Sequence, residues 1–173
     1  LDLSRVYKQQ DRLEDAVRCA AAAVDGNPRN PNAHYLHASM LALTGRYEEA
    51  LAAYRRALDI SPVHPAAWVG MGHLLKTLGR TEEGIAAYRR AIEQRPNFGE
   101  VYWSMANLKV FRFEDAEIAA MEEQLARGDL ADSPEIHFRF ALAKAHEDKG
   151  DYDRAWHYYD TGNRKQRPLV FHD

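Results

Sequence analysis

Apolar residues recur three and four positions apart along most of this chain, in short runs broken by glycine or proline. That spacing puts them on one face of an α-helix. Residues 65–98 show it most plainly. Pro65 opens a predicted helix, where its missing N–H costs nothing, and Trp68, Met71, Gly72 and Leu75 share a face. Gly79 ends that helix in a position suited to a left-handed residue. A second predicted helix carries Gly84, Ile85, Tyr88, Ala91 and Ile92 inward, and Pro96 stops it. Residues 31–64 repeat the plan with Leu41, Gly45, Tyr47, Ala50, Tyr54, Ala57 and Pro62. Gly45 and Gly79, Tyr54 and Tyr88, Ala57 and Ala91, and Pro62 and Pro96 all stand 34 residues apart.

A helix–turn–helix unit with that period resembles the tetratricopeptide repeat. The resemblance implies an all-α, right-handed superhelical α-solenoid of about five repeats, whose usual work is to present surface to other molecules. Residues 1–30 read as a partial repeat with Leu3, Tyr7, Leu13, Ala16, Ala23 and Pro28, its first helix cut short. Residues 99–131 deviate. Tyr102, Trp103, Met105 and Ala106 start a helix, and a second, near 114–127, turns Ile118, Met121 and Leu125 inward before Gly128. The intervening turn, Val110-Phe111-Arg112-Phe113, has no glycine and is two residues short, so a tighter turn is expected. In residues 133–167, Ser133 is expected as N-cap and Pro134 as first helical residue. Phe138, Leu142, Ala143, Gly150, Tyr152, Ala155, Tyr159 and Gly162 form the frame, Pro168 ends the helix, and 169–173 is an exit segment.

Composition narrows the partners. The chain has 173 residues, 46% hydrophobic and 28% charged, which excludes a disordered tail. A net charge of −3 lacks the basic excess of a nucleic-acid or membrane binder. Cys19 is the one cysteine, so no internal disulfide can form, which suits a reducing compartment and points to the cytoplasm. Between Arg18 and Ala20-Ala21-Ala22 it reads as a small buried hydrophobe. No apolar run approaches the ~18 residues of a membrane span.

Candidate chemistry reduces to structure. His34 and His37 share a helix, and His137, His146 and His157 are far apart in sequence, so no dense metal-ligand set is expected. His37 falls at an inward position and is expected to be a hydrogen-bonded core histidine. Glu48-Glu49 and Glu82-Glu83 open second helices, where the helix dipole favours negative charge. Gly70 and Gly72 are packing glycines rather than a phosphate loop. Arg55-Arg56 and Arg89-Arg90 read as solvated outer charges, and Arg164, Lys165 and Arg167 as a helix-end cap or a contact to an adjoining domain. With no nucleophile beside a base, no catalytic residue, cofactor or metal is expected.

What remains is a surface. In such arrays the first helix of each repeat lines the concave side. One turn off the core face lie Asn32, Tyr35, Ser39 and Ala42, then Val69, His73 and Lys76, then Glu100, Trp103, Asn107 and Val110, and last Phe140, Lys144 and Glu147. Aromatic rings supply contact area, and amides and cations fix a backbone or an acidic group. A protein or peptide ligand is therefore expected on Tyr35, Ser39, Val69, His73, Lys76, Trp103, Asn107, Phe140 and Lys144. Receptors of this fold that clamp a terminal carboxylate use lysine and asparagine where this sequence has Tyr35 and Ser39, then Val69 and His73, so that specificity is not expected.

A narrower resemblance rests on two strings. Ala106-Asn107-Leu108-Lys109-Val110-Phe111-Arg112-Phe113-Glu114-Asp115-Ala116-Glu117-Ile118 is one. Phe140-Ala141-Leu142-Ala143-Lys144-Ala145, through Gly150-Asp151-Tyr152-Asp153-Arg154-Ala155, to Gly162-Asn163 is the other. Together they resemble the end of the repeat region in bacterial tetratricopeptide-repeat sulfotransferases, in which a domain using 3′-phosphoadenosine 5′-phosphosulfate (PAPS) follows the array. The resemblance implies an accessory arm; the family's phosphosulfate loop has no counterpart among these residues, and no catalytic position carries over. The chain begins at Leu1, partway along a predicted helix, so a piece of a longer protein is expected. Its uncapped ends are expected to meet a C-terminal domain or another copy of the chain.

Overall fold

The computed structural model describes residues 3–170, with side chains from 12 to 168. Among these residues every regular element is an α-helix and no strand occurs. The α-solenoid class expected from the period is thus borne out. The helices are α1 (Leu3–Gly26), α2 (Pro31–Leu43), α3 (Tyr47–Ile60), α4 (Pro65–Thr77), α5 (Thr81–Gln94), α6 (Gly99–Ala106), α7 (Asp115–Ala126), α8 (Asp132–Asp148) and α9 (Tyr152–Val170). They fall into two compact units, Leu1–Gln94 and Arg95–Asp173.

In the first unit the corners follow the period. Gly45 and Gly79 both sit in the left-handed region, at φ 78° and 76°, and close α2 and α4. A side chain there would meet the steric cost that glycine avoids. Pro31 and Pro65 start α2 and α4 at a position that needs no N–H. Glu49 and Glu83 lie in the first turns of α3 and α5, and each takes a forked pair of hydrogen bonds from the arginine three residues before it, Arg46 and Arg80. Those arginines hold both carboxyls below the usual range. The core of the unit gathers Val17, Leu41, Ala50, Leu51, Tyr54, Ala57, Leu74 and Leu75.

Close helix approach depends on Gly70 and Gly72. A Cβ on Gly70 would come within 2.5 Å of the Tyr54 hydroxyl, and one on Gly72 within 2.5 Å of Tyr88 Cε1. Ring and bare backbone interlock, and Tyr88 is wholly buried.

Several expectations give way here. Residues 3–26 form one continuous helix, not a shortened first helix followed by a second. Its buried contacts are Val17 and Ala20, whereas Ala23 is exposed, and Leu3 and Tyr7 lie outside the described side chains. Cys19 is exposed, not buried: it stands one residue before Ala20, on the side of α1 that no helix covers. Tyr47 is 38% exposed as well, as the first residue of α3.

In the second unit α8 packs against α6, α7 and α9. Its core holds Val101, Tyr102, Met105, Met121, Phe138 and Leu142. Gly128 and Gly150 take the left-handed corner positions, at φ 68° and 76°. Gly99 lets α6 meet the start of α8, since a Cβ there would lie 2.3 Å from the Pro134 carbonyl oxygen.

The turn expected to be tight is instead a long connection. α6 stops at Ala106 after eight residues, and residues 107–114 are not helical. Leu108, Phe111 and Phe113 plug into the core from this segment. The rings of Phe111 and Phe113 meet edge to face at 4.8 Å, and Phe113 lies 6.2 Å from Tyr102. Burying three large side chains from this segment of turn and coil replaces what a further helical turn would bury. A reciprocal capping box between Glu114 and Glu117 then starts α7.

Two helix ends also differ from the sequence reading. α8 begins at Asp132, with Ala131 rather than Ser133 at the N-cap position and no side-chain cap bond. α9 runs through Pro168 to Val170. Proline there deprives only the carbonyl of Arg164, an exposed residue where water can take its place. Tyr152, placed in the repeat frame, is 71% exposed at the first turn of α9. Residues 171–173 of the exit segment lie outside the described residues. Arg164 and Lys165 are engaged within their own unit, Arg164 with Asp160 and Lys165 with Asp132 and Glu135.

Candidate functional site

The first-helix face of unit one is built by α2 and α4. Tyr35 is half-buried, its ring 5.1 Å from His64 and 6.2 Å from Tyr54. His64 is oriented from both sides: its Nδ1 accepts from the Ala67 amide at 3.1 Å, and its Nε2 donates to Asn32 Oδ1 at 3.0 Å. Ser39 donates to the Tyr35 carbonyl at 3.0 Å. Its oxygen is then the acceptor for the Tyr54 hydroxyl, 3.1 Å away. One repeat on, the Tyr88 hydroxyl shares a 2.7 Å hydrogen bond with His73 Nδ1. Burial pushes the Tyr54 phenol above its ordinary value, against the Ser39 hydrogen bond.

Between α2, α3 and α4 lies an open cleft of about 370 Å³. Ser39, Tyr54, His73 and Thr77 give it polar tips, and Leu43, Tyr47 and Leu74 give it apolar wall. Leu43 is 63% exposed. An apolar wall with a few placed polar groups is the usual makeup of a ligand cleft.

The first-helix face of unit two is built by α6 and α8. Half-buried Trp103 lies 5.5 Å from Phe140, which lies 6.4 Å from Tyr159. The Tyr159 hydroxyl donates to Glu147 at 3.1 Å. Burial, with the nearby carboxylates, pushes that phenol up to about 12. Lys144 pairs with Asp148 at 2.5 Å and with Glu147 at 3.5 Å, and the Asp148 contact raises its pKa. The ladder is thus three rings ending in a charge cluster.

Two tetratricopeptide-repeat models match the sequence, over residues 1–65 and 41–108. Between them they span residues 1–108, more than half of the 173. The chain belongs to the tetratricopeptide-repeat proteins. Among solved structures, a crystal structure of MamA is similar in fold, with a TM-score of 0.67 and 16% identity over 98% of each chain. MamA from Desulfovibrio magneticus RS-1, from residue 41 to the end, gives a TM-score of 0.64 and 18% identity over 97% of each chain. No curated protein sequence matches the chain.

Within this tetratricopeptide-repeat chain the expected ligand residues divide. Ser39 and His73 meet in the cleft of unit one, and Tyr35 lies close by on α2. Lys76 is exposed on the last turn of α4 but does not line the cleft. Val69 is buried, 7% exposed, and offers no ligand surface, because it turns into the core rather than along it. In unit two Trp103, Phe140 and Lys144 share the ladder. Asn107 caps its own helix, donating to the Trp103 carbonyl at 2.8 Å.

His37 was expected as the hydrogen-bonded core histidine; His34 takes that part. It is buried and its Nε2 donates to the Pro28 carbonyl at 2.9 Å. His37 is only half-buried, and partial burial, then Arg46 and His34, lower its pKa. Among the described residues no three His, Cys, Asp or Glu converge as metal ligands.

The sequence places Tyr54 and Tyr88 in the repeat frame for their rings, and their buried hydroxyls, bonded to Ser39 and His73 on the first helices, were not anticipated. A signal was available: a buried tyrosine, unlike phenylalanine, needs a partner for its O–H. His64 was missed because it precedes Pro65, outside the helix.

Proposed function

We propose that the protein is a non-catalytic scaffold that holds a protein or peptide on the first-helix faces of its repeats. The cleft of unit one carries this reading: it joins Ser39 and His73, 34 positions apart in the repeat frame, beneath an exposed Leu43. The aromatic ladder of unit two supplies a second contact area. Affinity near micromolar is expected, about −8 kcal/mol.

A phage-displayed peptide library selected on the whole chain supplies the probe. The enriched peptide is then titrated by calorimetry against Leu43→Glu, Trp103→Ala and Lys144→Ala. A loss of tenfold or more for Leu43→Glu or Trp103→Ala is expected. Unchanged affinity in all three variants removes the assignment.

A second reading has the resemblance at residues 106–118 and 140–163 as its support: an accessory arm of a PAPS-dependent sulfotransferase. It requires the reading frame beyond Asp173 to encode a strand followed by a phosphate-binding loop. On either reading we place the protein in the cytoplasm, on its single cysteine; among the described residues no helix is long and apolar enough to cross a membrane.

A further inference from the structure

The other side of α4 carries a second concavity. Between α3, α4 and α5 lies an open groove of about 370 Å³ whose floor is Trp68, Met71 and Leu75, with Arg55, Glu83 and Arg90 at its rim. His73 and Thr77, which line the cleft described above, are absent from this lining.

The rim carries two arginines against one glutamate. Both carboxylate oxygens of Glu83 are taken by Arg80, at 2.7 Å each. Arg90 pairs with Glu93 across 3.0 Å, but both side chains are more than half exposed, and such a pair yields readily to a better partner. Arg55 is exposed and feels Glu83 only through space. The floor is held in place: the Trp68 indole N–H donates to the Pro62 carbonyl at 3.0 Å, which locks the ring.

The lining of this groove differs from that of the preceding repeat. One repeat earlier, Ala21 stands where Arg55 does, His34 where Trp68 does, and His37 where Met71 does. His34 spends its Nε2 on the Pro28 carbonyl as Trp68 spends its indole N–H on Pro62. The hydrogen bond is common to both repeats. The preceding repeat lacks the broad apolar floor and the arginine at the place of Arg55; in the following one Arg89, Tyr102 and Met105 stand at the matching positions, but Tyr102 and Met105 are buried there.

We propose that this outward groove is a docking site for an acidic segment bearing one bulky apolar side chain. The side chain lies on Trp68 and Met71, and flanking carboxylates meet Arg55 and Arg90. Charge complementarity selects this occupant: arginine pairs with carboxylates through a planar fork, and the floor excludes water from a single side chain.

The test uses the whole chain and the fluorescein-labelled peptide Glu-Asp-Leu-Asp-Glu, read by anisotropy. Two controls replace Leu by Gly, or all four acids by Lys. Tighter binding of the first peptide, by tenfold over either control, is expected. The Arg55→Glu, Arg90→Glu double variant, altered only at exposed positions and checked by circular dichroism, loses that binding at least tenfold and prefers the lysine peptide. Leu43→Glu leaves it unchanged, which separates this groove from the first-helix cleft. Equal binding of the glycine peptide, full binding by the double variant, or loss in Leu43→Glu each overturns the proposal.

Discussion

The Tyr88 hydroxyl lies 2.7 Å from His73 Nδ1, fifteen residues back, and the Tyr54 hydroxyl lies 3.1 Å from Ser39 Oγ, also fifteen back. Each second helix thus reaches through the core and fixes a polar side chain on its first helix. The ring supplies packing and the hydroxyl holds the first-helix side chain in place. Tyr88→Phe keeps the ring and is expected to cost about 0.5–1.5 kcal/mol. Urea unfolding would show this as a lower midpoint with an unchanged slope.

Gly72→Ala should destabilise despite alanine's better helix propensity. The new Cβ would stand 2.5 Å from a fully buried ring. Overpacking costs roughly 1–3 kcal/mol, against a gain of about 1 from replacing glycine in a helix. Gly26→Ala, with nothing within 4 Å, is the control and should be neutral or slightly stabilising. Equal midpoints for the two variants would refute the interlock.

The connection after α6 is held by its own side chains. Phe113→Ala should cost about 3–5 kcal/mol, since that ring is buried against Phe111 and Tyr102. Val110→Ala, at a position 80% exposed, should stay within about 0.5 kcal/mol. Thermal melts of both variants would distinguish a packed connection from a loose one.

Acid should weaken the tie between α8 and α9. Partial burial pulls the Glu135 carboxyl up, but hydrogen bonds from Lys165 and Arg139 outweigh it and hold the group below its ordinary 4.5. A folded pKa below the unfolded one adds stability that is present above pH 4.5 and lost as pH falls through the lower folded value. Glu135→Gln should therefore be less stable than wild type at pH 7, and the gap should narrow as pH falls below 4.5. A gap that is constant with pH would show that charge plays no part.

Alkali should act through Tyr102. Burial, aided by the Glu117 charge, pushes its phenol up to about 12 from 10.0. The folded state favours the neutral phenol, so this stabilisation is complete below pH 10 and fades as pH rises towards 12. Tyr102→Phe should lose stability more slowly than wild type over that window, as followed by circular dichroism. Identical alkaline profiles would count against the burial of the hydroxyl.

The period of 34 made the corners legible. Gly45 and Gly79 needed only a left-handed backbone, and Pro31 and Pro65 only a first-turn position, and both are local demands that a residue type announces by itself. The close approaches at Gly70 and Gly72 were readable for a similar reason, because small residues in a helical frame have few other uses. Ser39, His73, Trp103 and Phe140 could be assigned to first-helix faces by register alone. Packing decided the rest. Residues 107–114 are turn and coil from which Leu108, Phe111 and Phe113 are buried, and that burial depends on partners in other elements. Val69 and Cys19 exchanged the expected surface and core because burial depends on which neighbour covers a face, and helical spacing fixes only the direction in which a side chain leaves its helix.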